Sequence, residues 1–431
     1  MRQRIKQALN SELVKVSSKT GLASVVKIAA GFIISKVLAI FIGPSGLAIM
    51  GQLNNLGTII QSLSTGGITL GITKYISEYA DDKAAQMKVI TTSLKVTIIC
   101  SSICTVGVLL TYKFLGEYFF ETDKYNAVLI VLGATLILYS LNSLIIAVIN
   151  GLRQFKLYVI INIATSIISL IFTIIFVYYF GVFGALISFV LTPAIVFFIA
   201  WYYVRKHGWF HFRFLSLKAD NETLKLLGRF SLMALNNAVV GALAQIAIRS
   251  LITGKMDINV AGIWDGMNRV SSAYLLLITT SIQVYYLPTL SYIQDRKLLW
   301  REILKTEKII IPLTFGMFVI IFLFRGLIVN ILFTKEFYMM KSVFAYQLIG
   351  DLIKISAWII SYTMYAKAMT KQLIITDNVF TFMYVLVSYT IMNNTSNGLE
   401  SVYYAYIINN VIYLLFMYFF MKTYITRNNA K

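Results

Sequence analysis

Apolar runs long enough to cross a bilayer, about 20 residues each, follow one another along almost the whole chain. Twelve can be drawn, at residues 21–42, 47–79, 88–112, 125–151, 157–180, 182–204, 227–252, 260–292, 309–333, 342–366, 372–394 and 398–421. With 58% of residues hydrophobic and 13% charged, the pattern predicts an all-α polytopic membrane protein of twelve transmembrane helices. The longest polar stretch, 205–226, is too short for an independently folded domain, so binding or catalysis has to happen within the helix bundle. The first span follows a basic, weakly amphipathic segment (Ile5, Leu9 and Leu13 against Arg2, Arg4 and Lys6) with no A-x-A site after it. It reads as a retained helix preceded by a surface helix.

Charge then sets orientation. The chain has 38 Lys+Arg against 18 Asp+Glu, a net +20. Alternate loops and both termini hold 24 of the cations, whereas the opposite loops hold only Lys113, Lys124, Lys255, Lys335 and Lys341. Positively charged loops stay inside, which predicts cytoplasmic N- and C-termini and a multi-pass membrane protein.

An offset of 214 residues places Leu47–Asn55 on Ala261–Arg269, with Ile49 on Ile263 and Asn54 on Asn268, and pairs the unusually long second and eighth spans. Six spans separate the two copies, so they would be parallel repeats with a central cavity between two six-helix lobes. The expected organisation is an interfacial segment 1–20, an N-lobe 21–204, a cytoplasmic linker 205–226, a C-lobe 227–421 and a cytoplasmic tail 422–431.

Nine cations fall inside spans: Lys27, Lys36, Lys74, Lys95, Arg229, Arg249, Arg269, Arg325 and Lys354. Each would cost about 2.5–3.5 kcal/mol at a lipid-facing helix centre. Snorkelling to a span end accounts for Lys74, Lys95, Arg229 and Arg249. It fails for Lys354 and is strained for Lys27, Lys36, Arg269 and Arg325, which are therefore expected to face a water-filled cavity. The intramembrane acids are Asp265, Asp351 and Asp377. Asp265 with Arg269 (i, i+4) and Asp351 with Lys354 (i, i+3) can be intrahelical ion pairs. Two readings stand for them: structural neutralisation, or a carboxylate that couples transport to a proton gradient. Gln347, Asp351, Lys354, Trp358 and Tyr362 share one helical face, a polar and aromatic stripe in an apolar span. Asn54 and Gln61 share a face of the second span, where amides also serve to join helices.

Several classes drop out. Cys100 and Cys104, i and i+4 in one apolar stretch, are packing residues without the His or acidic neighbours that a metal site needs. His207 and His211 share a loop with Trp209 and Phe210 and lack a nucleophile. Gly67 and Gly71 are a helix-packing pair within a span, not a phosphate loop, and Asp81-Asp82 reads as a solvated helix end. No nucleotide-binding domain fits, so an ATP-driven pump is excluded, an enzyme is disfavoured, and no cofactor or nucleic-acid partner is expected. A cationic cavity asks for an anion. Lys and Arg suit phosphate and aromatic faces suit sugar rings, which together point to a lipid-linked saccharide.

Seven blocks carry a resemblance: Ser24–Gly31, Gly43–Leu47, Gly67–Tyr75, Gly262–Gly266, Leu287–Ser291, Gln347–Lys354 and Ala366–Ala368. They resemble the Wzx-type flippases of the multidrug/oligosaccharidyl-lipid/polysaccharide (MOP) exporter superfamily, in the O-antigen and enterobacterial common antigen branch, over about residues 20–420. The resemblance implies a MATE-like two-lobe fold. It also implies translocation of an undecaprenyl-diphosphate-linked oligosaccharide, such as lipid III, across the inner membrane by alternating access, the tail remaining in the bilayer. O-antigen polymerase and chain-length regulator would be partners. On that basis Lys27, Lys36, Arg269 and Lys354, with Arg249, Arg325, Asn54, Trp264 and Trp358, would contact substrate, and Asp351, with Asp265 and Asp377, would couple ion flow. The charged Asp265 and Arg269 depart from the common-antigen pattern and favour a strain-specific O-antigen. A MATE-type drug/cation antiporter would want a cavity of opposite sign, and an O-antigen polymerase would need a large periplasmic loop.

Overall fold

The computed structural model of the chain describes residues 24–205, 219–282, 286–293, 295–367, 369–395 and 398–426. The expected interfacial segment 1–20, most of the 205–226 linker with His207 and His211, and the end of the tail lie outside the described residues.

All regular elements among the described residues are helices. They are α1 (Ser24–Phe41), α2 (Gly43–Ser64), α3 (Thr69–Glu78), α4 (Lys83–Phe120), α5 (Asn126–Gly151), α6 (Phe155–Val204) and α7 (Asn221–Lys255). Then follow α8 (Ile258–Ser281), α9 (Leu287–Tyr292), α10 (Arg296–Leu323), α11 (Arg325–Leu332), α12 (Met340–Ala366), α13 (Thr370–Asn394) and α14 (Glu400–Thr426). Nine of the described helices are long and apolar enough to cross a membrane: α1, α4, α5, α6, α7, α10, α12, α13 and α14. The protein is a multi-pass membrane protein.

Helix starts are set by local chemistry. Asp82 accepts from the Ala85 N–H at 2.9 Å and caps α4, so the acidic pair does stand at a helix end. Asp220 accepts from the Thr223 N–H before α7, and Asp295 from the Lys297 and Leu298 N–H groups before α10. Each satisfies donors that a helix leaves unpaired in its first turn.

Glycine sets the breaks. The second apolar run is two helices, because Gly66 and Gly67 between α2 and α3 have φ of 64° and 63°, a region that only glycine enters freely. Gly181, at φ 55° and ψ −130°, interrupts the 50-residue α6 in the same way. The ninth run also breaks, at Phe324 between α10 and α11. Element starts repeat with the sequence: α2 and α8, α4 and α10, α5 and α12, and α6 and α13 begin 213 to 215 residues apart. A short 3-10 turn precedes both α5 and α12, and a positive-φ glycine, Gly181 or Gly398, precedes the last helical segment of each half.

Internal contacts divide the chain into two compact units, one within Met1–Phe41 and Gln52–Val239, the other within Ile42–Gly51 and Val240–Lys431. In the first, Ile72, Leu94, Leu144, Val148, Val196 and Leu227 bring α3 to α7 into one core. Lipid removes the drive to hide apolar surface from water, so small residues and interhelical hydroxyl bonds carry the packing. Thr73 donates to the Ala147 carbonyl at 3.0 Å, and Ser140 donates to Ser64 at 2.8 Å. Ser231 donates to the Gly66 carbonyl exposed by the break. The second unit packs α12 against α8, α10, α13 and α14, and a β-carbon on Gly262 of α8 would overlap the Pro44 carbonyl of α2.

Candidate functional site

The polar chemistry of the second unit gathers on α12. Asp351 is fully buried, yet both its oxygens are hydrogen-bonded. Oδ2 accepts from the Ser271 hydroxyl at 2.6 Å and the Tyr274 hydroxyl at 2.5 Å, one turn apart on α8, and from Gln347 Nε2 at 2.9 Å. Oδ1 accepts from the Tyr406 hydroxyl of α14 at 2.7 Å. Four neutral donors thus hold the carboxylate without a cation.

The expected Asp351–Lys354 ion pair is not formed. Asp351 turns into the α8 and α14 packing, and Lys354, less than one turn on, lays its ammonium 4.9 Å from the Trp358 ring centroid and 5.4 Å from that of Tyr406. Aromatic faces attract a cation without supplying an opposite charge, so the Lys354 ammonium lies beside two rings and in no ion pair among the described residues. The Gln347–Asp351–Lys354–Trp358 stripe is thus assembled as a unit, while Tyr362 packs against Tyr365.

Asp265 also corrects its expected partner. It is held not by Arg269 on its own helix but by Arg249 of α7, bidentately, Nε to Oδ2 and Nη2 to Oδ1, both at 2.7 Å. The planar guanidinium fork matches two carboxylate oxygens when it approaches from a neighbouring helix. Arg249 is 3% exposed, so it does not snorkel. Its guanidinium lies 5.6 Å from the ring of the buried Trp264, which therefore lines the pair and offers no open face in this structure. Gly51 of α2 covers the pair: a β-carbon there would lie 2.6 Å from Asp265 Oδ2 and 2.7 Å from Arg249 Nη2.

The remaining sequence candidates are dispersed. Arg269 is half-buried and makes no ion pair among the described residues. Arg325 donates to the Phe322 carbonyl at 2.9 Å and stacks on the Phe322 ring, closing the end of α10 where exposed carbonyls favour a cation. Asp377 is half-buried on α13, outside the hydrogen bonds around Asp351. In the first unit Lys27 and Asn54 are exposed and Lys36 is half-buried. Lys74 pairs with Glu78 at 3.7 Å with about half its side chain exposed, as snorkelling requires.

The sequence profile described as polysaccharide biosynthesis protein matches residues 13–294, well over half of the chain. The chain belongs to this family. This polysaccharide biosynthesis protein is 29% identical over 394 residues to proteins named lipid III flippase from Escherichia coli (strain K12) and Shigella flexneri, covering 91% of this chain and 95% of each relative. Among solved structures it resembles an inward-facing multidrug resistance MATE family transporter of the MOP superfamily (TM-score 0.77, 17% identity, 94% of each chain). It also resembles an outward-facing one (0.71, 16%, 96% of each) and a MOP superfamily transporter from Pyrococcus furiosus (0.69, 17%, 96% of each). The fold is MATE-like.

Four residues of this polysaccharide biosynthesis protein escaped the sequence reading. Ser271, Tyr274 and Tyr406 complete the Asp351 shell, and Glu307 of α10 accepts from Ser356 of α12 at 2.8 Å. Glu307 lies just before the ninth apolar run, and α10 begins well upstream of it at Arg296; the amphipathic 296–308 segment was the available signal. The three hydroxyls carry no such signal, since Ser and Tyr are common in every span.

Proposed function

We propose that this protein flips an undecaprenyl-diphosphate-linked oligosaccharide, of O-antigen or common-antigen type, from the cytoplasmic to the periplasmic leaflet of the bacterial inner membrane by alternating access. Its carrying observation is the similarity, along 91% of the chain, to proteins named lipid III flippase. The geometry agrees with an anionic headgroup: Lys354 offers an ammonium without a carboxylate partner, beside the aromatic surface of Trp358. Lys354 and Arg269 would contact diphosphate or acidic sugar, and Lys27 and Lys36 remain candidates on the first unit. Arg249 and Arg325, engaged with Asp265 and the end of α10, are left out of that set. Asp351 is the coupling carboxylate, with Asp377 in reserve. The charged Asp265 and Arg269 favour a strain-specific O-antigen unit, whereas the relatives are named lipid III flippase, so both unit types stay within the proposal.

The topology we propose has twelve spans with both termini cytoplasmic. Nine helices qualify individually, α6 counts twice because Gly181 divides it, α2–α3 crosses as a broken helix, and the eighth apolar run, with α8 and α9, supplies the twelfth crossing. Such discontinuous helices are common where transporters bind substrate. Deleting the gene should leave lipid-linked repeat units on the cytoplasmic face of the inner membrane, and the wild-type gene should clear them. Normal translocation in the deletion strain, with no second flippase present, would sink the proposal.

A further inference from the structure

Tyr406 touches both charges of α12. Its hydroxyl donates to Asp351 Oδ1 at 2.7 Å, and its ring centroid lies 5.4 Å from Lys354 Nζ. The ring has a built seat. Gly350 leaves it room, because a β-carbon there would meet Tyr406 Cε1 at 2.7 Å, and Tyr384 packs against it edge-on with centroids 5.6 Å apart. Since α8 and Gln347 hold Oδ2, Tyr406 is the hydrogen-bond donor to Oδ1 among the described residues. Asp351 and Lys354 themselves make no ion pair, and Tyr406 is a side chain in contact with both.

We infer that Tyr406 is a positioning residue that passes a change of charge at Asp351 to the ammonium of Lys354. This rests on the flippase reading, in which Asp351 couples and Lys354 meets the diphosphate. A hydrogen bond to a carboxylate is roughly twice as strong as one to a neutral acceptor. When Asp351 is neutral, the hydroxyl loses that hold and the ring can tilt in the Gly350 notch. The cation–π contact depends on the ammonium lying over the ring face, so tilting loosens Lys354 and frees it toward an anion. No covalent step is involved.

The test follows Lys354 directly. The purified full-length chain in detergent is reductively methylated with formaldehyde and a borane reductant, and the initial rate at Lys354 is read by mass spectrometry. With Tyr406 present, Asp351→Asn should raise that rate by about 5-fold or more, whereas in Tyr406→Leu and Tyr406→Phe backgrounds the same substitution should change it by less than about 2-fold. Tyr406→Phe keeps the ring in its seat, so it separates loss of the hydroxyl from loss of packing, and it decides the matter should the leucine variant not fold. An equal rise in all backgrounds overturns the inference, because the charge would then act on Lys354 through space. In a second arm the same proteins are titrated with farnesyl diphosphate, which Asp351→Asn should bind several-fold more tightly only when Tyr406 is present. If the wild type binds no farnesyl diphosphate while the methylation pattern holds, the diphosphate contact falls and the positioning role of Tyr406 stands.

Discussion

A charge placed among apolar helices needs something to answer it, and the buried charges of the second unit are answered in three ways. Arg249 and Asp265 answer each other, Asp351 is answered by neutral donors, and Lys354 by aromatic faces. These differ in how they fail. Removing one member of a buried pair leaves the other uncompensated, at a cost of about 3–5 kcal/mol. Replacing both with apolar groups costs far less and can stabilise. Arg249→Met or Asp265→Leu alone should therefore lower the melting temperature of the detergent-purified protein markedly, and the double variant should recover most of the loss. A double variant as unstable as the worse single one would mean that the charges serve more than each other. Gly51→Val tests the same place from α2, since its side chain has to displace the guanidinium, and it should melt below the wild type.

At the scale of helices, the breaks matter as much as the spans. Gly67 has φ of 63°, and a β-carbon there would approach the Ser231 carbonyl at 2.9 Å. Gly67→Ala therefore combines left-handed strain with a clash against backbone, and by the usual cost of such strain it should destabilise by about 1–3 kcal/mol. Gly181→Ala has open space around it, so it carries the conformational cost alone, and of the two it should melt closer to the wild type. The reverse order would show that the α2–α3 break absorbs a side chain. The apolar helices and the break at Gly181 were legible in the sequence because hydropathy acts locally, whereas the break at Gly66 and Gly67 was not, since both glycines fall inside one continuous apolar run that reads as a single span. Orientation between helices is not local. Asp265 could be assigned to Arg269 four residues on, because nothing along one helix reports that Arg249, 16 residues back on another helix, has the better angle. Tyr406 lies 55 residues from Asp351, in a span rich in tyrosine, and only packing selects it. The Gln347–Trp358 stripe was readable because its members share one helix.

Across the whole molecule, the cations outside the spans, not those at the site, carry the expectation of topology. Alternate loops and the termini hold 24 of the 38 cations, and such a bias predicts which side each loop occupies. The internal repeat sharpens the expectation, because equivalent helices of the two halves then cross in the same direction. With Cys100 and Cys104 replaced by serine, single cysteines at Lys124, Lys255 and Lys335 should react with a membrane-impermeant maleimide added to intact spheroplasts. Those at Lys83, Lys156 and Lys371 should react only after permeabilisation. Lys156 and Lys371 are the sharper pair, since they begin the equivalent helices α6 and α13 and must share a side if the repeats are parallel. Finding those two on opposite faces would turn the repeat upside down in one half and remove the twelve-span arrangement with it. Finding them together on the outer face would keep the repeat but invert the protein, placing its cationic loops where the charge bias says they do not go.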